Sequence, residues 1–467
     1  MTDKMDNSGI PATASSKRQS ARNVGRPRTT ESGYASLSTL LNLVRTGVAT
    51  TRQELERHSE LGRAVVSDRL STLVKLGLLE EGRLGEAAGG RAPRHMQFRA
   101  AAGSVEVAVI DRSSIAAGIA DLNGSLLMEH HEAFDITAGG AVLVERLTTL
   151  FEWMRDERSD LGSVWGIGLA LPGPVAQNGE LGISSPVLQA IEGWTDYPFV
   201  ENLMVRNQAP VWVRSGIQMM TAGEHYAGAG GNRGNLILVK LGRSLSAGVV
   251  ADGKLLRGSE GASGLIGYTR LGDEGLDSLA GSDAIAAAGL QAAQDAESPF
   301  LQSVLARNGV VDESDVGHGA QFGDAYCIEL LTRSGRLIGE ALAPLANLLN
   351  PDVIALGGAM AHAGDTILAA VREAVYRQAH PLVTRNLKIV TSQMGGTSGL
   401  VGAAHVVTEE IFAPRFLQGW ILNGSPLHHP EFADQLDLAR STIAVPSKGR
   451  VAPPLERRPV AGSMAEK

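Results

Sequence analysis

Residues 211–268 read VWVRSGIQMMTAGEHYAGAGGNRGNLILVKLGRSLSAGVVADGKLLRGSEGASGLIGY. A strand near 210–213 leads into a helix near 219–227, and strands return at 236–241 and 248–251 after a glycine-rich break. Strands alternating with helices predict α/β packing around mixed sheets.

The pattern extends in both directions. Upstream, residues 105–110 form an apolar strand, and 115–120 pairs with 125–128 across Leu122-Asn123-Gly124, a strong hairpin signal. Residues 140–158 follow as a helix and 164–171 as a buried strand ending in Pro172-Gly173-Pro174. Downstream, helices dominate 283–349, before a strand at 353–356, the turn Gly357-Gly358 and a helix at 364–378. The run from Arg112 to Ile119 with its Asn123-Gly124 turn resembles the run from Arg243 to Val249 with Asp252-Gly253, about 130 residues later. An echo at that distance predicts two related lobes, against the alternative that two glycine-containing hairpins are alike by chance.

At 467 residues the chain has room for about three domains. One cysteine, Cys327, excludes an internal disulfide and a cysteine cluster for zinc, which fits a reducing compartment. No apolar run is long enough to span a membrane and the first 30 residues lack a signal-peptide core, so the expectation is a cytoplasmic protein with no membrane partner. Residues 1–103 carry 16 Lys+Arg against 10 Asp+Glu, whereas the rest carries 26 against 40. A basic head on an acidic body suggests a nucleic-acid reader joined to another function.

The head resolves further. Residues 1–32 read as a disordered basic arm, in which Gly25-Arg26-Pro27-Arg28 resembles an AT-hook core that would place Arg26 and Arg28 in a narrow minor groove. The alternative is a solvated basic tail. Residues 33–102 predict three short helices and a hairpin, a winged helix-turn-helix. In the third helix Val66, Leu70 and Leu73 form the buried stripe, leaving Arg63, Ala64, Ser67, Asp68 and Ser71 to face a major groove. Arg91 and Arg94 on the basic wing would contact backbone phosphate. The alternative is a winged helix that binds protein. Residues 413–467 form a C-terminal extension, apolar enough at 412–422 to dock and disordered in the main after 445.

Together, Gly89-Gly90-Arg91, the run from Gly166 to Pro174, Gly193-Trp194, Gly223-Glu224, the run from Gly258 to Gly267 and the run from Asn350 to Gly358 resemble the ROK family (repressor, open reading frame, kinase), specifically its transcriptional regulators. The resemblance implies a winged helix followed, at 103–412, by a two-lobed actin-like (ribonuclease H-like) sugar-kinase-type domain whose last helix returns to the first lobe.

The departures from the family pattern matter most. Its kinases carry an Asp-x-Gly-Gly-Thr phosphate loop where this chain has Asp111-Arg112-Ser113-Ser114, and a Gly-Thr-Gly-x-Gly-Gly loop where it has Gly242-Arg243-Ser244-Leu245-Ser246-Ala247. Side chains then stand where phosphate must approach bare backbone. The family's sugar-binding Asn and catalytic Asp correspond to Ser215 and Gly216, and glycine accepts no proton. The cysteine-rich zinc segment is replaced by Asp273-Glu274-Gly275-Leu276-Asp277, so no metal and no cofactor are expected. A sugar in the family's position would meet Ser215, Tyr268, Asp277 and Trp194, while Arg112 and Arg243 could bracket the anion of a sugar phosphate or be solvated or paired. The sequence therefore predicts a non-enzymatic regulator of carbohydrate genes, a homodimer or homotetramer on double-stranded DNA. The alternative is an ATP-dependent sugar kinase fused to a DNA-binding domain.

Overall fold

The computed structural model describes residues 30–84, 94–178, 182–194, 197–231, 234–362 and 364–444. Arg26, Arg28, Arg91 and residues 445–467 lie outside the described residues.

The head consists of α1 (Thr30–Arg45), α2 (Arg52–Ser59) and α3 (Arg63–Lys75), followed by the antiparallel hairpin β1 (Leu79–Leu84) and β2 (Arg94–Phe98). A capping box starts α2: Glu54 N–H donates to the Thr51 hydroxyl at 3.3 Å, and Glu54 accepts from Thr50 and Thr51 N–H at 3.0 and 2.9 Å. These bonds hold the Glu54 carboxyl down at about 2. Leu37, Leu40, Leu41, Val66, Leu70 and Leu73 fill the core of the three helices.

Two sheets of five strands follow, and they match strand for strand. In the first, β3 (Ser104–Ile110) pairs antiparallel with β4 (Ser114–Asp121), β4 antiparallel with β5 (Leu126–Ala133), β3 parallel with β6 (Val164–Leu171), and β6 parallel with β7 (Val211–Ser215). In the second, β8 (Leu236–Lys240), β9 (Ser246–Ala251), β10 (Lys254–Leu255), β11 (Val353–Gly357) and β12 (Lys388–Thr391) repeat that order and those directions. The repeat read from two hairpins thus extends to both five-stranded sheets.

Helices α4 (Gly140–Glu157) and α5 (Phe199–Asn207) belong to the first lobe, and α6 (Gly216–Ala227) runs from the end of β7 to the second sheet. In the second lobe α7 (Ala325–Leu349) packs along α8 (Asp365–Gln378). Helix α9 (Ser398–Phe412) then packs against β3, β6 and α6.

The chain beyond Phe412 is ordered where it is described. Helix α10 (Pro414–Trp420) inserts Leu417 and Trp420, both fully buried, between head and first lobe. Trp420 meets Trp165 and Phe412 with ring centroids 5.3 and 5.8 Å apart, and its indole N–H donates to the Ile411 carbonyl at 3.2 Å. Helix α11 (Pro430–Ala444) lays Phe432 and Ala439 on Met204 of α5. One continuous apolar core joins Leu40 and Leu41 of the head to Val105, Trp165 and Phe412 of the body.

Candidate functional site

Two surfaces carry the residues singled out from the sequence. On the head, Arg63, Ala64, Ser67, Asp68 and Ser71 are all exposed, while Val66, Leu70 and Leu73 are buried. Helical period alone produces this division, because 3.6 residues per turn sort the two sets to opposite sides. Asp68 pairs with Arg69 at 2.9 Å, and Arg69 also donates to the Ser36 hydroxyl, tying the face to α1. Arg94 at the wing's base is ion-paired with Glu81.

The cleft between the lobes is arranged differently from the sequence expectation. Ser215 is buried at the end of β7, and Gly216 begins α6 directly after it. A Cβ on Gly216 would find nothing nearer than the Leu171 carbonyl at 3.8 Å, so the position has room for a Cβ that the sequence does not provide. Trp194 lies in the first lobe's core: its indole N–H donates to the Ile136 carbonyl at 2.9 Å and its ring packs on Phe199. That face is not open for stacking on a sugar.

Asp277 is likewise engaged. It accepts from Leu245 N–H at 2.6 Å and from the Ser244 hydroxyl at 2.9 Å, so it props the loop that replaces the second phosphate loop. Tyr268 is 77% exposed. Arg243 pairs with Asp283 at 3.3 Å with both side chains well exposed, and Arg112 is exposed at the β3–β4 tip. The lobes are joined by an ion pair from Lys240 to Asp111 at 3.3 Å. Burial works against the Asp111 carboxylate, yet Lys240 and the Arg112 N–H hold it below its ordinary range. Of the six residues assigned to ligand binding, Trp194 and Asp277 are thus committed to protein contacts and Arg243 to an ion pair.

Glu224, read from the sequence as a retained landmark, has a structural role. It is fully buried, accepts from Ser392 beyond β12, and accepts from Ala229 N–H at 2.9 Å. Among the described residues no group of acidic, histidine or cysteine side chains could hold a metal ion, and no helix is long and apolar enough to cross a membrane.

Residues 110–410 match the ROK family. The chain belongs to that family. Its similarity to two kinds of ROK protein is graded by coverage. It is 23% identical to the xylose repressor of Bacillus spizizenii over 77% of this chain and 91% of the repressor. Against the DNA-binding transcriptional repressor Mlc of Escherichia coli it is 23% identical over 76% of this chain and 88% of Mlc. A glucokinase of Halalkalibacterium halodurans is 27% identical, over 58% of this chain and 85% of the enzyme. Among solved structures, a ROK family transcriptional regulator homologous to Escherichia coli Mlc superposes with a TM-score of 0.68 at 20% identity, covering 87% of this chain and 99% of the regulator. ROK repressors and ROK glucokinases therefore both share this body.

Proposed function

We propose that this ROK protein is a sugar-responsive DNA-binding transcription repressor whose kinase-like body does no phosphoryl transfer. The observation that carries the proposal is the α3 face: five short or polar side chains stand exposed together on a helix whose other side is fixed in the head's core. In support, the similarity to repressors extends over 77% of the chain, against 58% for the glucokinase. One relative is named a DNA-binding transcriptional repressor and another a xylose repressor, which supports double-stranded DNA as the partner here and a sugar or sugar-phosphate as the effector. Two heads on a homodimer or homotetramer would read a two-fold site, and an effector that prefers one lobe arrangement would change their spacing.

Kinase chemistry would need a proton acceptor near Ser215, but that position is Gly216. The sugar-kinase alternative is tested by ADP release from the pure protein with ATP and glucose or xylose. None is expected; sugar-dependent release would install the alternative. On DNA, Arg63→Ala or Ser67→Ala should reduce discrimination between specific and random duplex by about 1–3 kcal/mol. Arg91→Ala should weaken both duplexes and lower the salt slope by about one. Equal losses on both duplexes for all three variants would contradict the assignment.

A further inference from the structure

Away from the cleft, a cavity of about 810 Å³ lies where the head, the first lobe and the second lobe meet. Its walls come from the end of α1, the end of β7, α6, the β9–β10 hairpin and α9. The volume suits a small metabolite, since such sites run roughly 300–1,000 Å³.

Charge in this cavity is unbalanced. Arg45, Arg214, Lys254 and Arg257 line it with two carboxylates, Glu409 and Glu410. Both carboxylates are already engaged: Arg45 holds Glu409 and Arg214 holds Glu410, each at 2.8 Å. Lys254 and Arg257 form no ion pair among the described residues, so two cations remain in excess. Arg257 also has its Nε buried without a hydrogen-bond partner. A guanidinium never loses its proton, so a buried donor on it calls for an acceptor. Arg214 next to it feels the same excess: burial and the Arg257 charge both act against its cation, and Glu410 offsets them only in part.

We propose that this junction cavity binds a small phosphate-bearing molecule, with Arg257 and Lys254 taking the phosphate. A guanidinium fork matches phosphate oxygens in pairs, and the lysine adds a point charge. The cavity is larger than a bare phosphate requires. Tyr226, stacked on His405 with ring centroids 4.2 Å apart, gives it a flat wall for an organic portion, which points to an ester of sugar size. The site shares no residue with the kinase-like cleft. Its occupant would touch α1 of the head and both lobes at once, coupling lobe arrangement to head position.

The test uses the full chain, with calorimetric titration and thermal melting in glucose 6-phosphate, glucose and inorganic phosphate. The expected result is saturable binding of glucose 6-phosphate that raises the melting temperature, and a Kd weaker by about tenfold or more in Arg257→Gln. Arg257→Gln should melt no lower than the unsubstituted protein without ligand, because it removes a like charge from beside Arg214. Lys254→Gln, on an exposed residue, is the second variant and should weaken Kd in the same direction. No saturable binding of glucose 6-phosphate or of phosphate would overturn the proposal, as would equal affinity for glucose or an unchanged Kd in both variants. Loss of binding in Arg243→Gln would move the site to the cleft and also overturn it. Inorganic phosphate binding as tightly as the ester would support the anion site and overturn its organic part.

Discussion

Gly216 and Glu106 are two single positions with different consequences, one for the proposed lack of phosphoryl transfer and one for the response to pH. At Gly216 an added Cβ would meet nothing nearer than 3.8 Å, so the backbone surroundings do not by themselves require glycine there. Glu106 interrupts the apolar β3. It is fully buried, one carboxylate oxygen accepts from Arg155 at 2.6 Å, and the other has no partner. Burial pushes its pKa up to about 7 from 4.5, with Arg155 opposing the rise. A folded-state value above the unfolded one means the native state keeps the proton longer. The group's favourable contribution is therefore full below about pH 4.5 and is lost as pH rises to about 7. That loss is on the order of 3 kcal/mol by linkage. Glu106→Gln should flatten the decline in melting temperature between about pH 5 and pH 8; an unchanged decline would contradict the burial argument.

At the scale of elements, α10 is the piece that turns a head and a body into one unit. Trp420 packs between Trp165 and Phe412, while Asn42 of α1 donates to the Phe412 carbonyl at 3.1 Å and Arg45 lies over the Phe412 ring at 5.0 Å. Trp420→Ala should cost about 3–5 kcal/mol, as for large aromatic truncations in cores. It should also open the 99–104 segment to limited proteolysis. A variant that melts like the unsubstituted protein and is cut no faster would show that α10 does not hold the head. The sequence displayed the apolar run at 412–422 but not its target, because Trp165, the ring it packs on outside the run, lies more than two hundred positions away. Strand β5 shows a second limit. Expected to end near Met128, it continues to Ala133 because Glu129, His130, His131 and Glu132 sit on an edge strand, where polar side chains are tolerated. The α3 face was legible because helical period alone sets it. The engagement of Trp194 and Asp277 was not, since each depends on a carbonyl, amide or hydroxyl from another part of the chain.

For the whole molecule, two matched lobes meet across α6 and α9. The crossing is tight: a Cβ on Gly223 would lie 2.0 Å from the Ser398 carbonyl, and one on Gly402 would lie 1.7 Å from that of Met219. Backbones this close transmit displacement from one lobe to the other. Across the cleft, the lobes are tethered by Asp111 and Lys240, and the head shares its core with the first lobe. Packed elements thus join the head to the lobes among the described residues, and the proposed change in lobe arrangement would reach α3 along them. The duplicated plan was legible in the echo of two hairpins. The junction cavity was not, because its walls are drawn from Arg45 through Ala413 and converge only in the fold.

The most direct test of the proposed DNA-reading repressor is genome-wide mapping of bound sites for the unsubstituted protein beside the Arg63→Ala, Ser67→Ala double variant. The account predicts discrete sites sharing a two-fold symmetric sequence, lost or scattered in the variant. Absence of enrichment over an untagged control, or an identical set of sites in both, would contradict it.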